Sequence, residues 1–258
     1  MTKLTRKQIE DHLKVMGYIN LQEQDLQGVD LSGADLRGAN LSGTNLSGAN
    51  LNKVALGDAF LLDVNLSQAQ LVGADLSQAD LSGTANLMGA DLRGTVLEGA
   101  NLVGVNLSEA NLAGANLSQA ILTGATLSRA TLTGTDLLGA ANLSKANLAE
   151  ASLSEANLKG VTLRGADLNR ANLSGADLSG ADMRGVILRE ANLSQANLAG
   201  ADLGRADLQE ANLCGANLSQ VTLRGAGMRD AKYDQHTHWP EGLMPTVAGA
   251  ILVDSTSP

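Results

Sequence analysis

The chain has 258 residues, 29 of them glycine, with aromatic residues at only 2% and a formal net charge of −9. So few aromatic side chains exclude an ordinary irregular core of this size, which Phe, Tyr and Trp would fill, and 44% apolar residues at even spacing exclude a disordered chain. The acidity argues against a general affinity for nucleic acid or anionic membrane, no apolar run reaches the length of a membrane span, and a single cysteine leaves no internal disulfide framework.

The N-terminus is charged and amphipathic, with no apolar stretch of the signal-peptide kind, so a soluble, cytoplasmic protein is expected. Thr5-Arg6-Lys7-Gln8 reads as a helix-capping box, with Leu4 and Ile9 placed as a hydrophobic staple. Ile9, Leu13 and Met16 share one helical face and Gly17 supplies a stop. Residues 6–16 are therefore expected to form a helix, within an N-terminal cap spanning 1–18.

From Leu21 a Leu or Met recurs every fifth residue to Leu81, then from Leu87 to Leu137, then from Leu143 to Met228, giving 42 repeats in all. One extra residue separates each run from the next, at Thr84-Ala85 and Ala140-Ala141, and a local bulge is expected at each. A small residue, usually Ala, stands two places before each Leu, with Asn or Asp between them and a Ser-Gly-like pair after. A period of five fits no regular element. On a helix it advances about 500°, so the leucines would spray around the axis. On a straight strand it is odd, so alternate leucines would face the wrong side. The pattern is consistent only if the chain turns a corner once per repeat, with the small residue and Leu inward and the Asn/Asp and the residue after Leu outward. Stacked coils then pair their backbones and leave open edges only at the two ends.

After Ala231 the repeat dissolves. Tyr233, Trp239 and Leu243 bring the bulk that a cover for a narrow core needs, so residues 232–258 read as a C-terminal cap and tail.

The A-(D/N)-L-x-x pattern, as in Ala34-Asp35-Leu36-Arg37-Gly38 and Ala39-Asn40-Leu41-Ser42-Gly43, resembles the pentapeptide-repeat family over residues 19–231. The motif is weak once and strong in forty tandem copies. The resemblance implies an all-β fold, a right-handed quadrilateral parallel β-helix with four repeats per coil. At strand spacing that makes about ten coils and a rod roughly 50 Å long. The C-terminal ending is similar to those of cyanobacterial members.

With four repeats per coil, residues 20 apart (21 across a slip) stack in columns. One edge then carries Glu109, Arg129, Glu150, Arg170, Glu190 and Glu210, ending at Asp230. Alternating charge at stacking distance reads as a salt-bridge ladder for cohesion and solubility, or as a recognition stripe. One face carries Phe60, Leu62, Val103 and Ile121 outward, with Arg164, Arg184 and Arg224 beyond them and Arg189 and Arg229 on the neighbouring face. Apolar residues flanked by arginine suit a protein contact; neutral drift on a tolerant scaffold is the alternative. Asp182 and Asp202 stack on adjacent coils, but an outer wall offers no cleft for acid–base work, and plain solvated surface is the expected reading beside a weak cation contact. Asp234, His236 and His238 are close enough to consider a metal, yet lie in a cap with no further ligand evident. Cys214 points outward as a passive thiol, and His12 stands alone. No phosphate-binding glycine loop accompanies a strand–helix unit, and an interior packed with Leu and Ala leaves no ligand pocket.

These features point to a non-catalytic, cofactor-free binding or scaffold module whose partner is another protein, monomeric or paired end to end. The resemblance adds a second class, mimics of duplex DNA that bind DNA gyrase. Against it stand the arginines interrupting the acids, the lack of a long loop between coils and the lack of a C-terminal aromatic helix. A purely structural or stress-related role is a third.

Overall fold

The computed structural model describes residues 6–9, 19–139, 141–246 and 248–253. Along the repeats, the Asn/Asp position of each pentapeptide forms a parallel bridge with the same position 20 residues on, as in Asn20 with Asn40 and Asp182 with Asp202. Across the two extra residues the step is 21, as in Asp80 with Asn101 and Ile121 with Asn142. One circuit therefore takes four repeats, and the chain winds as a β-helix with four columns of bridges.

The repeat satisfies each of its backbone donors, which is what allows a chain with such short extended pieces to stack. In Ala171-Asn172-Leu173-Ser174-Gly175, the Asn172 N–H donates to Ala151 O in the preceding coil at 2.9 Å and the Leu173 N–H to Asn192 O in the next at 2.7 Å. Gly175 N–H donates to Ser194 O at 2.9 Å, and Ala171 N–H closes the preceding corner onto Leu168 O at 3.0 Å. The remaining donor, Ser174 N–H, is met by the repeat's own Asn172 Oδ1 at 3.1 Å. This is the physical reason for Asn or Asp at that place: a short side chain with an acceptor two residues before the orphan donor.

The corner residue two places after Leu lies in the left-handed region, as in a type II turn. Glycine suits it, yet nineteen non-glycine residues also adopt it with φ of 55–61°. The core is a column of centre leucines, almost all fully buried, each flanked by the small residue two places earlier. Three of those small positions are buried threonines, whose hydroxyls donate to Leu21 O, Leu92 O and Leu132 O at 2.7–2.8 Å.

The first extra residue is stitched to the coil before it. Thr84 N–H and Oγ1 both donate to Asp63 Oδ1, at 2.7 and 2.8 Å, and the backbone donor above all holds the Asp63 carboxyl below its ordinary range. At the second slip, Ala140 lies outside the described residues.

At the N-terminal end residues 6–9 are helical, Ile9 is buried in the core cluster and Arg6 reaches Asp30 at 3.9 Å. The rest of the helix expected over 6–16, with Leu13 and Met16, lies outside the described residues. At the other end, strand β1 (Lys232–Tyr233) pairs in parallel with β2 (Ile251–Leu252). The tail thus folds back on the last coil, with Ile251 N–H on Ala231 O at 2.7 Å and Asp230 N–H on Gly249 O at 2.8 Å. Tyr233 and Trp239 meet edge to face with centroids 5.4 Å apart, and both pack against the core with Leu243. Among the described residues no acceptor reaches the buried Trp239 indole N–H.

Candidate functional site

The outer face defined by the Asn20-to-Thr222 column holds most of the residues singled out for binding. Phe60 (53% exposed), Val103 and Ile121 (44%) project from it, whereas Leu62 is half-buried. Phe60 and Ile121 are three bridges apart, with Asp80 and Asn101 between them, or about 14 Å at strand spacing. Large exposed apolar side chains also occur on other faces, at Met88, Val96, Leu138 and Ile187. The apolar half is thus a series of separate side chains rather than one patch, and single exposed apolar residues are ordinary.

The arginine half is more organised. Asp182 is held between two guanidinium groups: Arg164 Nε donates to its Oδ2 at 2.5 Å, and Arg184 forks onto both oxygens at 2.8 and 2.7 Å. Arg184 also lies 3.5 Å from Asp202, so the stacked carboxylates Asp182 and Asp202 share a cation. On the neighbouring face Arg189 meets Asp207 at 2.5 Å, and Arg229 meets Gln209 at 3.1 Å and Asp230 at 3.6 Å. Among the described residues Arg224 makes no such pair. Nor does Arg205, a corner residue on the same side that column reading of the sequence passed over. Arg184, Arg205 and Arg224 border a depression of about 680 Å³, with Asp202, Gly204 and Thr222 among its walls. The sequence signal for it is the break in the arginine column: Arg164, Arg184, Gly204, Arg224.

Along the charged corner, Arg129 lies 3.2 Å from Glu109 and 3.9 Å from Glu150. Arg170 forks onto Glu190 at 2.9 and 3.1 Å, and its guanidinium holds the Glu190 carboxyl below the ordinary range. The last part of the column, Glu190, Glu210 and Asp230, lines a second depression with Lys232 and Ile251.

Asp234 serves the cap. Its buried carboxylate accepts from Gly215 N–H at 2.9 Å, His236 N–H at 3.0 Å and Thr237 Oγ1 at 3.1 Å. Burial works against its ionisation, but these donors outweigh it and hold the carboxyl low. His238 contributes its backbone, which takes the bridge position opposite Asn217. Among the described residues no three His, Cys, Asp or Glu side chains converge as a metal site. Burial pushes the half-buried Cys214 thiol up, which disfavours the reactive thiolate. No helix among the described residues is long and apolar enough to cross a membrane.

A family model described as Pentapeptide repeats matches in eight copies, at residues 18–52, 44–83, 85–124, 110–141, 141–180, 151–190, 166–205 and 201–232. Among solved structures, HetL, a pentapeptide repeat protein involved in heterocyst differentiation regulation from the cyanobacterium Nostoc sp. strain PCC 7120, is 36% identical over 88% of this chain and 92% of its own, with a TM-score of 0.44. The pentapeptide repeat protein alr5209 from the same Nostoc strain is 43% identical over 42% of this chain and 84% of its own, with a TM-score of 0.26. QnrB1, a plasmid-mediated fluoroquinolone resistance protein, is 19% identical over 71% and 89%, with a TM-score of 0.40. No curated protein sequence matches.

Proposed function

Because the chain belongs to the pentapeptide-repeat family, we propose that it is a non-catalytic binding module whose outer wall holds another protein. In this reading a right-handed, four-sided rod of about ten coils spans residues 19–231 at strand spacing. Residues 1–18 and 232–258 close its ends, and the protein works in the cytoplasm. Solenoids present long, regular faces suited to a partner's surface. The observation that carries the proposal is the gathering of Arg164, Arg184 and Arg224 on one face of a chain with net charge −9. Arginine forks suit carboxylate recognition at protein contacts. The exposed Phe60, Val103 and Ile121 extend the same face.

The duplex-mimic reading asks for uninterrupted acidic columns. Here Arg129 and Arg170 alternate with the acids of the charged corner, and Arg184 sits between Asp182 and Asp202.

The test is affinity capture from lysate of the source organism with wild type beside the Arg164→Glu/Arg184→Glu/Arg224→Glu variant. The variant's β-sheet circular dichroism is checked first, because Asp182 loses two cations. A partner held by wild type and lost by the variant is the expected result. A partner retained equally by both would remove this face from the proposal.

A further inference from the structure

Nine of the eleven arginines sit within ion-pairing distance of an acid. All eleven lie among the described residues, and the two left over are Arg205 and Arg224. Both are exposed and both border the same depression. On a wall where arginine is otherwise neutralised locally, two uncompensated guanidinium groups meet at one spot.

That spot is open because of Gly204. The column it belongs to runs Arg164, Arg184, Gly204, Arg224, and the place after the core Leu accepts any side chain in other coils. Gly204 lies outside the left-handed region, unlike the corner glycines, so its backbone does not require glycine. Its N–H is fixed by Asp202 Oδ1 at 2.9 Å, as in an ordinary repeat. A Cβ built there comes within 3.0 Å of Asp202 Oδ1, which also lines the depression, and within 3.8 Å of Arg184 Cγ and of Arg224 O. The missing side chain thus leaves a slot between Arg184 and Arg224, two coils apart, or about 10 Å at strand spacing, with Arg205 at its edge.

We propose that this slot binds carboxylate side chains of an extended acidic segment of a partner protein. Arg205 and Arg224 would carry the contact, and Arg184, already committed to Asp182, would form one wall. A planar guanidinium matches a carboxylate in a two-bonded fork. Alternate residues of an extended peptide turn their side chains to one face about 7 Å apart, so alternating acids present successive carboxylates to Arg205 and Arg224. A nucleic-acid strand is a poorer fit, because the arginines beyond the slot are paired with acids and the chain's overall charge repels a long polyanion. The inference rests on the protein-binding reading of this face and specifies its chemistry.

The probe is a short fluorescein-labelled peptide of alternating Glu and Gly, followed by fluorescence anisotropy at low ionic strength. A Gln/Gly peptide, inorganic phosphate and a single-stranded oligonucleotide serve as comparisons. Removing each free guanidinium is expected to cost about tenfold in affinity, so Arg205→Ala/Arg224→Ala should nearly abolish binding. Gly204→Leu should weaken it about as much while leaving every charge in place. Arg37→Ala/Arg93→Ala, which removes paired arginines elsewhere, should bind as wild type does. Since Arg205 and Arg224 support no ion pair, their loss should leave the circular dichroism unchanged. Equal binding by wild type and the slot variants, equal binding of the Gln peptide, no binding of the Glu peptide, or tighter binding of phosphate or the oligonucleotide would each overturn the inference. A failed peptide test beside a lysate partner lost on Arg164→Glu/Arg184→Glu/Arg224→Glu would sink the slot's chemistry and spare the binding face.

Discussion

Asp234 shows how a single side chain can replace a missing repeat. Where the pentapeptides end, Gly215 N–H has no next-coil carbonyl to meet, and the Asp234 carboxylate takes that donor together with His236 N–H and Thr237 Oγ1. A buried acceptor with three donors is costly to remove, because the donors are left unsatisfied. Asp234→Ala is therefore expected to lower stability at neutral pH by about 1–3 kcal/mol. The pH dependence follows from the direction of the shift. A carboxyl held below its ordinary value of 3.8 contributes stability that is fully present above that value and lost as pH falls through the folded one. Wild type and Asp234→Ala should accordingly differ most near neutrality and converge in acid. Urea titrations at pH 7 and pH 3 check this, and a gap that stays constant would reject it. The bulk of Tyr233, Trp239 and Leu243 is visible in the sequence, and all three pack against the core. The role of Asp234 is not visible there, because nothing local in the sequence shows that Gly215 lacks a partner.

The corner is the element that most constrains the sequence. A residue with a Cβ in the left-handed region costs about 1–2 kcal/mol, and glycine offsets part of its own advantage through greater freedom in the unfolded chain. Lys145, at φ 60°, has no described contact that depends on its side chain, so Lys145→Gly is expected to stabilise by about 0.5–1 kcal/mol. Gly89 is the opposite case. Its φ is +65°, and a Cβ there would overlap the Gln68 amide of the preceding coil, whose Nε2 lies 3.5 Å from Met88 O. Gly89→Ala should therefore be destabilising by more than the ordinary left-handed cost, since Gln68 must also move. Thermal midpoints of the two variants beside wild type test the pair, and a shift in the same direction for both would contradict it. The corners themselves were readable from the period of five, since neither a helix nor a strand keeps every fifth residue on one side. Two other features needed coordinates: the glutamine lying over the next coil's glycine, and the Asn/Asp side chain completing the backbone donors. Both depend on atoms 20 residues away or on a side-chain rotamer. The arginine slot lies between these cases, because Gly204 is visible as a gap in a column while Arg205 belongs to a corner and falls outside that column.

Across the whole molecule each coil touches only its neighbours, so stability is a sum of coil and interface contributions rather than a property of one centre. Leu132 lies in the interior of the stack, fully buried, with coils on both sides. Leu223 lies in the last coil and is only half-buried, bordering a shallow depression with Pro240, Glu241 and Leu243 of the C-terminal segment. Truncating a buried leucine costs about 2–5 kcal/mol through lost transfer energy and the cavity left behind, and the cost falls where the site is already partly open. Leu132→Ala is therefore expected to lower the global unfolding midpoint. Leu223→Ala should cost less and act locally, since the end coil opens without separating the coils behind it. Hydrogen exchange followed by mass spectrometry distinguishes the two. In Leu223→Ala, added exchange should be confined to residues C-terminal of about position 200, one coil in from the substitution at the 20-residue step between bridged coils, while the interior keeps wild-type protection. If exchange instead rises evenly along the chain, the rod unfolds as one cooperative unit. The slot at Gly204 would then be held by the whole stack rather than by its two flanking coils. With graded exchange, the slot lies beside the less stable end, where coils opening from the C-terminus reach Arg224 before Arg184.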